Sequence, residues 1–142
     1  RGLGDVYKRQ AHTDHFGDHA VEDLGIDPAV TLKTLVIHHE RNFAVCCVPV
    51  VGQLSLKKAA KALGWKNAEM ATPKDAQRVT GYIVGGISPL GTKQALPTLV
   101  DASLAPFPTT YVSAGRRGLS LALNPQDLAR VVGASFAPIS SA

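Results

Sequence analysis

The stretch from Thr80 to Thr92 constrains this chain more than any other: thirteen consecutive residues carry no charge, and four of them are glycine. Glycine lets a backbone bend sharply and bring its N–H groups close to a ligand, so the segment reads as a loop that grips a carbonyl or an anion. It lacks the Lys-Ser/Thr ending of a phosphate-binding P-loop and the Gly-x-Gly-x-x-Gly order of a dinucleotide fold. Mononucleotide and nicotinamide chemistry are therefore not indicated.

A length of 142 residues suits one domain. With 45% hydrophobic and 18% charged residues, the composition is that of an ordinary globular protein. No apolar run approaches the ~20 residues that span a bilayer, and no basic start with an apolar core marks a secretory signal. The expected setting is the cytoplasm, without membrane association. Cys46 and Cys47 are adjacent on an expected strand, where their side chains point to opposite faces and cannot pair with each other. The net charge of +4 permits a polyanionic partner without requiring one. Half of it comes from the first ten residues, through Arg1, Lys8 and Arg9 against Asp5.

Those ten residues do not begin with methionine, and no amphipathic period joins them to the residues after Gln10. They read as a non-native junction, which sets residues 1–10 apart from a single domain over 11–142.

Along that domain a short helix is expected from Asp18 to Leu24, then strands at Thr31–His38 and Phe43–Val50 joined by a polar turn. Ser55 caps a helix with Leu56, Ala59, Ala60 and Leu63 on one face and Lys57, Lys58 and Lys61 on the other. Thr72-Pro73 and Asn124-Pro125 are two further helix starts, the first running to about Val79 and the second to Val132. Strands are expected at Pro97–Val100, Thr109–Ser113, Leu119–Leu123 and Ser135–Ile139, with a turn at Gly115–Gly118. Strands outnumber helices without regular β-α-β alternation, which implies an α/β fold with a mixed sheet, curled toward a barrel, and helices packed outside.

Few residues are candidates for chemistry. Lys33 shares a strand face with Leu35 and Ile37, a costly place for an ammonium unless its tip reaches water, a carboxylate or a ligand. Spacing leaves both readings open, snorkelling at the strand end and reaching into a pocket. Arg116 and Arg117 in a turn fit either phosphate contacts or a solvated turn, and the lysines of the Ser55 helix fit a solvated face. His12, His15, Asp18 and His19 resemble a metal cluster but have no matching ligand pair downstream, so no metal is expected. His38 and His39 are expected in a solvated turn. Ser88 and Ser113 are the serines to check as nucleophiles, yet neither sits in a Gly-x-Ser-x-Gly elbow. Asp101 and Asp127 are too isolated to form an acid–base pair. No cofactor is indicated.

Four segments carry a resemblance: KTLV (33–36), AVCCVPVVGQLSLKKAAKALG (44–64), QRVTGYIVGGISPLG (77–91) and YVSAGRRGL (111–119). In this order they are similar to the YbaK/EbsC family of Cys-tRNA(Pro) deacylases, relatives of the editing insertion domain of bacterial prolyl-tRNA synthetases. The resemblance runs from about His12 to the C-terminus. It implies a freestanding editing enzyme that removes cysteine from proline tRNA, with the tRNA(Pro) acceptor end and a prolyl-tRNA synthetase as partners. Such editing is needed because a pocket that discriminates by small apolar differences gains only ~1–3 kcal/mol. The resemblance assigns Lys33 as an active-site lysine and Gly85, Gly86, Ile87, Ser88 and Pro89 as the pocket lining, with Ser113 and Gly115 beside it. It also implies that the substrate's own thiol attacks the ester. A deacylase for another amino acid such as alanine, a non-catalytic module binding tRNA or a synthetase, and an unrelated small-ligand protein remain the alternatives.

Two departures stand out. The family's N-terminal helix and first strand, with an active-site tyrosine, should precede His12; Tyr7 does not match that motif, and an unpaired sheet edge is expected. Ser120 stands where the family commonly has aspartate, which leaves Lys33 without the acidic partner such a residue would supply.

Overall fold

The computed structural model describes residues 27–116 and 119–141, with backbone alone for Asp5–Lys8 and Arg116. The elements in chain order are β1 (Asp5–Lys8), β2 (Leu32–His39), β3 (Asn42–Pro49), β4 (Gln53–Leu54), α1 (Leu56–Leu63), β5 (Glu69–Met70), α2 (Pro73–Thr80), β6 (Thr98–Asp101), β7 (Thr110–Arg116), β8 (Leu119–Leu123), α3 (Pro125–Val132), β9 (Ser135–Ala137) and β10 (Ser140–Ser141). One-turn 3₁₀ helices at Pro28–Val30 and Ala102–Leu104 complete them. The expected helix over Asp18–Leu24 lies outside the described residues.

The strands form a five-stranded mixed sheet in the order β5-β2-β3-β6-β9, a three-stranded antiparallel sheet β1-β8-β7, and the small pair β10-β4. The fold is mixed α/β as expected, but among the described residues these sheets do not close into a barrel. Among the described residues the backbone pairing between the large and the three-stranded sheets is one parallel bridge, Thr31 to Tyr111. Asp5–Lys8 pairs antiparallel with Leu119–Ala122, so the outer edge of β8 is covered by part of the segment that the sequence reading sets apart as a junction.

Alternation along the central strands decides what packs where. Ile37, Ala44, Cys46 and Val48 turn to one face of the large sheet, where α1 delivers Ala59 and the chain end delivers Ile139. Leu32, Val45, Cys47 and Val100 turn to the other, against Val112 and Leu121 of the second sheet and Leu128 of α3. The adjacent cysteines therefore enter two different cores. Burial pushes both thiols up to about 12, with the neighbouring Cys47 adding to the effect on Cys46 and a contact from Thr34 partly opposing it at Cys47.

The helix ends follow the cap chemistry. Ser55, Thr72 and Asn124 accept backbone N–H bonds at the three N-termini, and Gly64, Gly81 and Gly133 close the C-termini at positive φ. At the β2–β3 hairpin the two-residue turn is Glu40-Arg41, with Glu40 at φ 55°. His38 and His39 thus belong to β2 rather than to a solvated turn. Both are half-buried, the first against Phe43 and the second against Trp65, and the His39 ring nitrogen meets the Asn67 side chain at 3.0 Å.

Asp101 ties the C-terminal segment to the sheet. Its carboxylate is almost fully buried, at 2% exposure, and accepts the N–H groups of Ile139 and Ser140 at 3.0 Å each and the Ser103 hydroxyl. It is a structural clamp and takes no part in an acid–base pair.

Candidate functional site

The outer edge of β2 is paired only at its ends. At the start Thr31 bridges to β7, and toward the end Ile37 and His38 pair with β5. Between them, among the described residues, no strand meets that edge over Lys33–Leu35. Because Val36 accepts the Ala71 N–H on this side, Thr34, two residues earlier, turns its own peptide groups the same way. The sheet therefore has a fork, and the fork holds a cavity.

The cavity has a volume of about 370 Å³, at the small end for ligand sites, and its walls are mostly apolar. Thr31 and the β2 residues Leu32 to Val36 form its floor, Met70, Ala71 and Ala76 one wall, Val84, Gly85 and Ile87 of the glycine-rich loop another, and Ser113 and Ser120 a third. Lys33 is the one ionisable residue among those lining it, and among the described residues it has no ion pair. It shares its strand face with Leu35 and Ile37, as alternation requires, is half-buried, and lines the cavity at the unpaired edge of its own strand.

Ser113 and Ser120 lie directly opposite each other on β7 and β8. Both are buried, at 6% and 4% exposure. The Ser113 hydroxyl accepts the Gly115 N–H at 3.2 Å, which leaves its own proton to donate. Among the described residues the Ser120 side chain makes no hydrogen bond at all. Two buried hydroxyl protons without acceptors among the described residues, both lining one cavity, suit an electronegative ligand atom, since an unmet buried polar group costs ~1–3 kcal/mol.

The glycine-rich loop divides its residues between cavity and frame. Gly85, at φ 99°, and Ile87 line the cavity. Gly86 does not, because its N–H closes a turn onto the Ile83 carbonyl at 2.9 Å. Ser88 is buried and its hydroxyl accepts the Leu90 N–H, and Pro89 and Gly115 also lie outside the lining. The Arg116 side chain, Arg117, and the His12, His15, Asp18 and His19 cluster lie outside the described residues. No group of three metal-ligating side chains exists among the described residues, and no helix among them is long and apolar enough to cross a membrane.

In the sequence Ser120 stands out only as a departure from a pattern. Its place as the partner of Ser113 is readable from the β7–β8 hairpin register once the turn between them is assigned. Thr34 and Met70 give no local signal, because what brings them to the cavity is the interruption of strand pairing.

Residues 14–131 match the family model of the aminoacyl-tRNA editing domain. An Enterococcus faecalis protein provisionally named as the Cys-tRNA(Pro)/Cys-tRNA(Cys) deacylase EbsC is 38% identical over 130 residues, covering 90% of this chain and 79% of that protein. A proline–tRNA ligase of Trichlorobacter lovleyi is 35% identical over 81 residues, which are 56% of this chain but 14% of the ligase. Among solved structures, one described provisionally as a trans-editing enzyme for prolyl-tRNA synthetase superposes with a TM-score of 0.88 over 97% of this chain and 87% of its own, at 24% identity. A hypothetical protein superposes with a TM-score of 0.87 at 22% identity, over 96% of this chain and 91% of its own. At these identities the structures establish the fold.

Proposed function

The chain belongs to the aminoacyl-tRNA editing domain family, and from that premise we propose that it removes cysteine from Cys-tRNA(Pro), the charged acceptor end of tRNA(Pro) being its partner and a prolyl-tRNA synthetase the enzyme whose errors it corrects. The observation that carries this reading is the cavity's make-up: one ammonium, two buried hydroxyl donors and a loop backbone around a space sized for an aminoacyl ester, without an acid, a metal cluster or an activated nucleophile among its lining residues.

Such a site can hold an ester but brings no group to attack it, which favours attack by the substrate's own side chain. The cysteinyl sulfur adds to the ester carbonyl, the bond from that carbon to the ribose oxygen breaks, and the thiol proton ends on the ribose hydroxyl. The products are a cysteine thiolactone and uncharged tRNA. No water is consumed in this step. Lys33 holds the terminal ribose or its phosphate, and the Gly85 and Ile87 N–H groups, neither of them engaged by a hydrogen bond among the described residues, receive the charge that develops on the carbonyl oxygen. Ser113 and Ser120 add hydroxyl donors. One such donor typically contributes ~2.7–4 kcal/mol to the transition state.

Incubation with Cys-, Ala- and Pro-tRNA(Pro), followed by mass spectrometry of the released amino acid, tests the reading. Cys-tRNA(Pro) should be deacylated fastest and yield the thiolactone, and Lys33→Ala should abolish turnover. Undiminished turnover in Lys33→Ala removes the assigned role of the lysine, and preferential loss of alanine moves the substrate within the class. A second reading, a module that binds the charged end without cleaving it, is favoured by the hydroxyl of Ser120 where an acid could have faced Lys33. Binding with every ester intact would establish it.

A further inference from the structure

We infer that Tyr82 is a positioning residue that locks the glycine-rich loop onto the strand carrying Ser113, and so sets the distance between the two donor walls of the cavity. The inference rests on the editing reading for its consequence and on geometry alone for the lock. The loop is closed at its base, where Lys93 and Gln94 donate N–H bonds to the Thr80 and Val79 carbonyls at the end of α2. Within it, the Tyr82 hydroxyl donates to the Leu90 carbonyl at 2.5 Å and spans the loop internally. The Tyr82 N–H is held in turn by the Thr80 hydroxyl at 3.1 Å. The compact loop that results is tied across by the Tyr82 side chain.

The same ring reaches outside the loop. It lies so close to Gly115 that a Cβ placed there would sit 2.8 Å from the Tyr82 Cε1 atom, nearer than side chains approach. Gly115 has φ 100° and occupies the irregular step between Ser113 and Arg116 where the β7–β8 register shifts. Its N–H is also the donor that fixes the Ser113 hydroxyl. One glycine thus receives the Tyr82 ring and orients a cavity hydroxyl. Through this contact Gly85 and Ile87 on the loop and Ser113 on β7 are held to one spacing. The alternative, a tyrosine serving only to fill the small core of Val36, Ala76, Val79 and Ile87, accounts for the half-buried ring but not for a steric contact that glycine alone allows.

The test compares wild type with Tyr82→Leu and Tyr82→Phe by two readouts. The first is amide hydrogen exchange. Tyr82→Leu should speed exchange at least tenfold across 81–91 and at Gly115 while β3 and β6 stay protected, and Tyr82→Phe, which keeps the ring on Gly115, should retain protection at Gly115. Unchanged exchange at Gly115 in Tyr82→Leu overturns the lock whether or not the chain cleaves any ester. The second readout is single-turnover deacylation at a temperature where circular dichroism shows each variant folded. Tyr82→Leu should lower the maximal rate at least tenfold with substrate affinity within threefold of wild type, and Tyr82→Phe should recover most of the rate. Asp101→Asn, destabilised at a distance from the loop, should keep it. Equal losses in Tyr82→Leu and Asp101→Asn would reduce Tyr82 to a structural residue.

Discussion

Removing the Asp101 carboxylate should detach the C-terminal segment from the sheet, and the size of the effect follows from the bonds it makes. In Asp101→Ala the N–H groups of Ile139 and Ser140 lose their acceptor at a site with 2% exposure, and the Ser103 hydroxyl loses its own. At ~1–3 kcal/mol for each buried group left unpaired, partly relieved by water reaching the Ser140 side, the expected loss is ~3–5 kcal/mol. Asp101→Asn keeps an Oδ1 acceptor for the N–H groups of Ile139 and Ser140 but puts an NH2 where the second oxygen accepts from Ser103, so ~1–3 kcal/mol is expected from that lost acceptor and the lost charge. The pH dependence separates the causes. Burial alone would raise the carboxyl above its ordinary value, but the hydrogen bonds from Ser103, Ile139 and Ser140 together outweigh it and hold it below. A carboxyl depressed in the folded state contributes stability that is fully present above its unfolded value, near ~3.9, and is lost as pH falls through the folded one. Urea unfolding followed by circular dichroism at pH 7 and through the acid range measures both effects. The wild type should lose stability below about pH 4 more steeply than Asp101→Asn. Parallel acid profiles for the two proteins, or a loss below ~1 kcal/mol in Asp101→Ala, would refute the clamp.

Ser120→Ala should leave stability unchanged or raise it, because it removes a buried hydroxyl without a partner among the described residues, and should lower deacylation roughly 10²–10³-fold, the worth of one oxyanion donor; equal rates in a single-turnover assay would take Ser120 out of the site. Cys46 and Cys47, held near 12 by burial in two cores, should resist alkylation at pH 8 in the folded protein and react within minutes in denaturant. Rapid labelling of the native protein, read by mass spectrometry, would contradict that packing.

Local chemistry in the sequence was enough for the helices and the main hairpin. Caps at Ser55, Thr72 and Asn124, glycines at 64, 81 and 133, and the branched residues of β2 each act within a few neighbours, and the structure uses them so. Two-residue strands such as β4, β5 and β10 carry no period to read, and they matter here because β5 forms one prong of the fork. Parallel pairing of β6 with β3 and β9 joins residues far apart in the chain, where pattern is silent. Alternation correctly grouped Lys33 with apolar residues but could not show that its strand has an open edge. The glycine-rich segment was readable as a loop, while the division inside it, with Gly86 spent on a turn and Gly85 lining the cavity, depends on hydrogen bonds that composition does not encode.

The fork in β2 means that the floor of the cavity is a length of sheet left unfinished. A substrate lying there meets peptide groups at the fixed spacing of a strand, and those groups are the same whatever side chains occupy the positions. Substitutions at Met70, Ala71 or Ala76 alter the room available and leave the floor intact. On the editing reading proposed above, the two halves of recognition are thereby uncoupled: the chain can drift in which amino acid it accepts while continuing to hold the part of the ester that every charged tRNA shares.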